Sequence, residues 1–387
     1  METSIVAAVV LSSLAAAGVG VVVACAALFF GFVSLILFWW YETRRPLHLS
    51  RFKENPILEP NPAHWWESEA VFNPTAFLHN GRVHLLYRAL GRDGVSRIGY
   101  ASSYDGIHFD ERSPHPAYDP DFQTIPDPRK RYGPLTYSTV VYASGGGWGG
   151  SEDPRAVKME GNVYMTFTAF EGWASERINL TSLPVEQFEN RVWAWKKASA
   201  ISPPGEVHKN WLLFPEKING KYAILHSISP KIAVEYFDDF SVLEQEGVYI
   251  KSPGRIQTNR EGHWDAYVRG AGAPPLKTRF GWLLFYHGFD PAHSEVGYKV
   301  GVMLLDLQDP TKVLARSNAP ILEPKEWYEN DWKPGVVYAS GAVVLGDNLF
   351  VYYGGGDKRI AAARANLRNF VYKLLSGEHA VLEPVKI

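Results

Sequence analysis

Thiols and surplus charge are both scarce in this chain. Its single cysteine, Cys25, lies near the N-terminus, so the rest can form neither a disulfide nor a cysteine metal site. The 39 basic and 41 acidic side chains nearly cancel, which argues against nucleic acid as a partner, since that calls for a basic surface. No H-E-x-x-H or similar ligand spacing occurs, so no metal is expected. No G-x-x-x-x-G-K-[ST] loop occurs either, which excludes the usual nucleotide-hydrolysing machinery. Gly145–Gly147 and Gly149–Gly150 read as flexible loop rather than a phosphate cradle. Past Tyr41 no stretch reads as a long amphipathic helix.

Charge is missing altogether between Thr3 and Tyr41, a run rich in Ala, Val, Leu and Phe. This exceeds the roughly 20 apolar residues that span a bilayer. Trp39, Trp40 and Tyr41 close it like an interfacial belt, and Arg44 and Arg45 follow. A cleaved signal would open with basic residues and have a shorter core; here Glu2 precedes the run. The expectation is an uncleaved single-pass membrane anchor over residues 1–45. Arg44, Arg45, Arg51 and Lys53 on its C-terminal side would keep the remainder, residues 46–387, cytoplasmic. Asn179-Leu180-Thr181 is a glycosylation sequon of a kind that arises often by chance.

What fills the remainder is a repeat. Asn80-Gly81, Glu160-Gly161, Asn219-Gly220, Phe280-Gly281 and Leu345-Gly346 each precede a strongly β-prone strand. The glycine intervals are 80, 59, 61 and 65 residues. Five turns with a period near 60 predict five four-stranded units, hence an all-β, five-bladed β-propeller. The long first interval locates an insertion at Pro114–Gly150. P-I-L-E-P occurs at Pro56–Pro60 and again at Pro320–Pro324, as edge segments of corresponding units.

Ser151–Phe170 holds the most suggestive chemistry: Glu152-Asp153-Pro154-Arg155, then a strand, a turn and a second strand. Pro154 would push Asp153 toward an extended backbone, and an acid on a rigid corner beside an arginine suits acid–base work. Alone the tetrapeptide is common scaffolding. In a propeller, however, matching strand ends converge on one axis. Arg88, His226 and His287 are expected there from inner strands, joined by Asp153, Arg155 and Asp357. Trp65, Trp66 and Trp264 are candidates for stacking on sugar; most tryptophans would pack between units.

Across this whole region the chain resembles glycoside hydrolase family 130, the β-mannoside phosphorylases and related β-mannosidases. The resemblance rests on W-E-S-E-A-V-F-N-P (Trp66–Pro74), L-L-Y-R-A (Leu85–Ala89), E-D-P-R (Glu152–Arg155) and K-N-W-L-L-F-P-E-K-I-N-G-K-Y (Lys209–Tyr222). It continues through G-A-G-A-P-P (Gly270–Pro275), G-W-L-L-F-Y-H-G (Gly281–Gly288), L-L-D-L-Q-D-P (Leu304–Pro310) and Tyr352–Asp357. The resemblance implies a five-bladed propeller that cleaves β-mannosidic bonds of manno-oligosaccharides with inversion. Asp153 would be the general acid, acting through a sugar hydroxyl. Asn73, Arg88, Arg155, Lys209, Asn210 and Asp357 would bind substrate, and Arg269, His287 and Tyr298 would bind inorganic phosphate as co-substrate, with no further cofactor. Ser227 stands where the family's phosphorylases commonly carry arginine, and cannot supply that charge or its bidentate fork. Phosphorolysis to mannose 1-phosphate is the leading expectation. An inverting β-mannosidase using water and a catalytically silent glycan-binding propeller are the alternatives. A homo-oligomer is compatible with the sequence.

Overall fold

The computed structural model describes residues 28–36, 47–120, 146–170, 176–252, 262–290 and 297–376. Two compact units divide the chain, Met1–Pro46 and Leu47–Ile387. In the first, residues 28–36 are helical and are labelled α1. No helix among the described residues is long and apolar enough to cross a membrane. The rest of the Thr3–Tyr41 run lies outside the described residues. The expected transmembrane helix, and with it the single-pass, cytoplasm-facing assignment, is therefore corrected to what the described residues support, which is no membrane-spanning helix.

The second unit opens with β1 (Ser50–Arg51) and then runs through five mainly antiparallel strand groups in chain order, here called sheets, the first two being joined by one short parallel pairing into a single eight-stranded sheet. The first sheet holds β2 (Ala70–His79), β3 (Arg82–Leu90), β4 (Val95–Ser103) and β5 (Glu111–Arg112). The second holds β6 (Gly149–Met159), β7 (Asn162–Phe170), β8 (Glu176–Pro184) and β9 (Ser199–Ala200), with α2 (Val185–Glu189) between its last two strands. The third holds β10 (Leu212–Leu213), β11 (Tyr222–Ser227) and β12 (Ala233–Phe237). The fourth has an innermost strand interrupted at Pro274-Pro275, β13 (Tyr267–Ala271) and β14 (Leu276–Thr278), followed by β15 (Gly281–Phe289), β16 (Lys299–Leu305) and β17 (Val313–Arg316). The fifth holds β18 (Val337–Leu345), β19 (Asn348–Gly355) and β20 (Arg359–Asn366), with β1 as its outer strand.

The local chemistry explains the repeat. Asn80-Gly81, Glu160-Gly161 and Asn219-Gly220 have positive φ at both residues, 48° and 71°, 49° and 78°, 51° and 81°. That is the two-residue hairpin geometry matching strand twist, and it joins the first strand of a sheet to the second. Second strands are buried on both faces, so their alternation divides side chains between two neighbours. On β15, Leu283 and Phe285 pack toward the fifth sheet, while Trp282, Leu284 and Tyr286 pack toward the third. Five large apolar clusters result, one at each junction of successive sheets, including the junction of the fifth with the first. This is a closed five-bladed propeller.

Several local expectations are corrected. Gly149-Gly150 is not loose loop: it begins β6 and pairs in parallel with Val95 and Ser96, stitching the first two sheets together. The sequon residue Asn179 lies mid-strand, paired with both Phe167 and Ala200. A ten-residue helix α3 (Leu367–Ser376), burying Phe370, Val371 and Leu374, was passed over by the sequence reading. The P-I-L-E-P segments do correspond: Leu58 bridges Ile360 on the fifth sheet and Leu322 bridges Val300 on the fourth. Most of the Pro114–Gly150 insertion, residues 121–145, lies outside the described residues.

Candidate active site

Four innermost strands break register near the propeller axis, at Phe72/Thr75 on β2, Glu152/Arg155 on β6, Val268/Gly270 on β13 and Ala339/Gly341 on β18. Such bulges bend a strand and re-aim its side chains. On β2 and β6 the extra residues are Asn73-Pro74 and Asp153-Pro154, with φ of 49° at Asn73 and 51° at Asp153. Asp153 is thus left-handed, not extended as Pro154 alone would suggest. Asn and Asp tolerate that region best among non-glycine residues. Asn210, beside the third sheet's first strand, shares it with φ of 65°.

The innermost strands therefore carry the axis, whereas Arg88, His226 and His287 sit on the second strands β3, β11 and β15 and reach in from behind. Close approach at the axis needs small neighbours: a Cβ on Gly354 would lie 2.3 Å from Asn73 Oδ1, and one on Gly270 would lie 2.4 Å from Asn210 Nδ2.

Asp153 is 8% exposed and surrounded by donors. Asn73 Nδ2 donates to its Oδ1 at 2.8 Å, and an Arg88 guanidinium nitrogen lies 3.7 Å away. Arg88 also meets the buried Glu152 at 2.9 Å and donates to Ser96 Oγ at 3.0 Å. Lys209 bridges Glu152 at 3.4 Å and Glu176 at 3.2 Å. Arg155 is directed at backbone oxygens, of Asp153 at 3.1 Å, of Pro154 at 3.0 Å, and of Gly272. Burial would raise the Asp153 carboxyl, but Arg88, Lys209, Arg155 and the Asn73 hydrogen bond outweigh it and hold it below the usual range. It is ionised at neutral pH.

A cleft between the third and fourth sheets adjoins this cluster, lined by Lys209, Asn210, His226, Ser227, Tyr267 and Arg269 among others. The Arg269 guanidinium lies 5.7 Å from the centre of the Tyr298 ring. His287, by contrast, is fully buried, its ring stacked 3.9 Å from that of Tyr338 at 9°. Burial first, then the Arg155 and Arg269 cations, press His287 down to about 3, so it is neutral. Asp357, just past β19 with φ of 52°, pairs with Lys333 at 3.1 Å. Among the described residues no cluster of His, Cys, Asp and Glu could hold a metal ion.

The tryptophan candidates divide. Trp66 is buried and donates to the Pro114 carbonyl at 3.0 Å, and Trp264 stacks on Tyr286, so both are packing. Trp65 is 58% exposed beneath the Arg97 guanidinium. Sequence reasoning named Glu152 without giving it a role, and missed Lys333 and Tyr338, whose hydroxyl donates to Asn210 Oδ1. For Asn73 and Asp153 a signal was present: each Asx-Pro lies eight residues before its turn glycine, Gly81 and Gly161.

Comparison with known proteins places this geometry. The glycoside hydrolase 130 family model, described as β-1,4-mannooligosaccharide phosphorylase, matches residues 48–143 and 136–375. A 1,2-β-oligomannan phosphorylase of Thermoanaerobacter sp. is 34% identical over 336 residues, which cover 84% of this chain and 100% of the relative. The β-1,2-mannobiose phosphorylase of Listeria innocua, solved with β-1,2-mannobiose, superposes with a TM-score of 0.62 at 26% identity, covering 84% of this chain and 99% of that one. A structure from a study of family 130 glycoside hydrolases that target β-1,2 linkages in Candida mannan superposes at 0.65 and 26% identity, covering 84% and 95%.

Proposed function

The chain belongs to glycoside hydrolase family 130, and from that membership we propose that it is a β-mannoside phosphorylase whose acid is Asp153. It cleaves β-mannosidic bonds of manno-oligosaccharides with inorganic phosphate, releasing mannose 1-phosphate. We assign the β-1,2 linkage as its preference, because the 1,2-β-oligomannan phosphorylase matches along its entire length.

The observation that carries the roles is the Asn73–Asp153–Arg88 contact at the axis, beside a cleft containing Arg269. The mannosyl unit would lie against Asn73, Arg88, Lys209, Asn210 and Asp357, where charged groups make directional bonds to hydroxyls. Phosphate would enter beside Arg269 and Tyr298. One phosphate oxygen attacks the anomeric carbon from the face opposite the leaving oxygen, and the configuration inverts. The glycosidic bond breaks, and the Asp153 proton passes through a sugar hydroxyl to the departing oxygen.

A depressed carboxyl is a poor acid store, and phosphate corrects this. A dianion beside Arg269 adds negative charge to the site against the Arg88, Lys209 and Arg155 cations that hold Asp153 ionised, and so raises its proton affinity. Substrate phosphate thereby helps to load the acid.

The test is product formation from β-1,2-mannobiose with and without phosphate. Mannose 1-phosphate that appears only with phosphate is expected, and Asp153→Asn should lower the rate by about 10² to 10⁴-fold. Free mannose formed equally in both conditions, or an undiminished Asp153→Asn enzyme, would overturn the reading.

A further inference from the structure

We propose that Lys333 is the second cation of the phosphate subsite, binding the co-substrate beside Arg269 while it holds Asp357; this rests on the phosphorylase reading above. A phosphate near neutral pH carries about −1.5 to −2 charges, more than Arg269 alone balances. Position 227, on the cleft wall, is serine. Among the other cations of the site, Arg88 is engaged with Glu152 and Lys209 with Glu152 and Glu176, while Arg155 gives Nε and Nη1 to backbone oxygens and keeps only its buried Nη2 without a partner. His287 is neutral and stacked behind Tyr338.

Lys333 differs from these. It is 7% exposed, and its backbone is pinned at the junction of two site residues. Its N–H donates to the Gly356 carbonyl at 2.9 Å, one residue before Asp357, and Gly356 N–H returns a bond to Val336 at 3.0 Å. Two residues on, the Gly335 carbonyl accepts from Tyr298 N–H at 2.9 Å. The side chain meets Asp357, with Tyr298 and Arg269 near enough to act on its charge, and the Tyr298 ring neighbours the Arg269 guanidinium. Asp357 raises the Lys333 ammonium above its ordinary value, against burial and the nearby Arg269 cation, so the charge is kept. An ammonium has three N–H donors. One meets Asp357 at 3.1 Å, which leaves two for phosphate oxygens. Stability alone does not account for the pair, since a buried ion pair contributes about as much as the apolar residues that could replace it.

The experiment compares wild type with Lys333→Gln and Lys333→Arg in two ways: steady-state phosphorolysis of β-1,2-mannobiose with phosphate varied, and the shift in Tm on adding inorganic phosphate alone. In Lys333→Gln we expect the KM for phosphate to rise by about ten-fold, the KM for mannobiose to rise by much less through the loosened Asp357, and the phosphate-induced Tm shift to shrink. Lys333→Arg should restore most of both. If phosphate stabilises Lys333→Gln as well as wild type, or if only the mannobiose KM rises, Lys333 merely positions Asp357 and the proposal falls. A wild type that neither uses nor binds phosphate would overturn the phosphorylase reading and this inference together. A phosphate-dependent wild type beside an unaffected Lys333→Gln variant would overturn this inference alone.

Discussion

At the scale of single residues, the site and its supports are charged groups taken out of water, and their titration sets how the protein responds to acid. Burial lowers His84 and His226 to about 4 and His287 to about 3, from an ordinary value of 6.5. The unfolded chain therefore binds protons below pH 6.5 that the folded chain refuses until pH 4 or lower. Where the unfolded state binds more protons, stability rises with pH; here it must fall as pH drops from about 6.5 to 4. Asp153, held below its usual range, adds a loss in the same direction at lower pH. Thermal unfolding followed across pH 8 to 4 should show a declining Tm, and His84→Phe, away from the site, should flatten part of the decline. A Tm constant over this window would contradict the neutral, buried state of these rings.

At the scale of elements, the innermost strand with its Asx-Pro bulge is the unit that builds function. The bulge bends the strand, and a left-handed residue aims one short polar side chain at the axis. Asn73 does two separable things there: it tolerates φ of 49°, and it donates to Asp153. Asn73→Ala loses both, whereas Asn73→Gly loses only the hydrogen bond. Both variants should lose activity to a similar extent, while Asn73→Gly should be more stable than Asn73→Ala by about 1 kcal/mol, the left-handed penalty of a Cβ. Urea unfolding and kcat of the pair check this; equal stability would mean that the backbone is not strained at this bulge. The same scale explains a miss. The α3 helix buries only Phe370, Val371 and Leu374, one short apolar stripe within ten residues, which is easily passed over beside strands that are apolar throughout.

At the scale of the molecule, stability depends on closing the ring. The outer strand of the fifth sheet is β1, from the far end of the chain, paired through Ser50↔Arg364 and Arg51↔Ala363. A carboxylate shared by a tyrosine and an arginine recurs in three sheets: Glu67 with Tyr87 and Arg112, Asp265 with Tyr286 and Arg316, and Glu329 with Tyr353 and Arg51. Only the last joins the two ends of the propeller. Arg51 meets the fully buried Glu329 at 2.7 and 2.9 Å, so Arg51→Ala leaves an uncompensated carboxylate, a loss of about 3–5 kcal/mol. Lys312→Ala, an exposed pair with Asp309, should cost under about 1 kcal/mol. Denaturant titrations of the two variants should separate them; equal effects would show that closure does not rest on this pair.

The repeat of turn glycines, the β-prone strands that follow them and the Glu152–Arg155 corner were legible in the sequence because each follows from local rules, namely backbone handedness at a two-residue turn, β propensity and the rigidity of Asp-Pro. The left-handed backbone at Asp153 was not legible. Those rules determined a five-unit β architecture and pointed to Asp153, while Asn73 came only from the family resemblance. They could not say which strand of each unit faces the axis, because the innermost and second strands are both apolar and bulges shift register without changing composition. The Lys333–Asp357 and Tyr338–Asn210 contacts join residues 24 and 128 positions apart, and the withdrawal of His287 behind Tyr338 depends on how two sheets meet. Tertiary packing alone decided these points, because charge pairing and burial depend on distances that close only when the ring does.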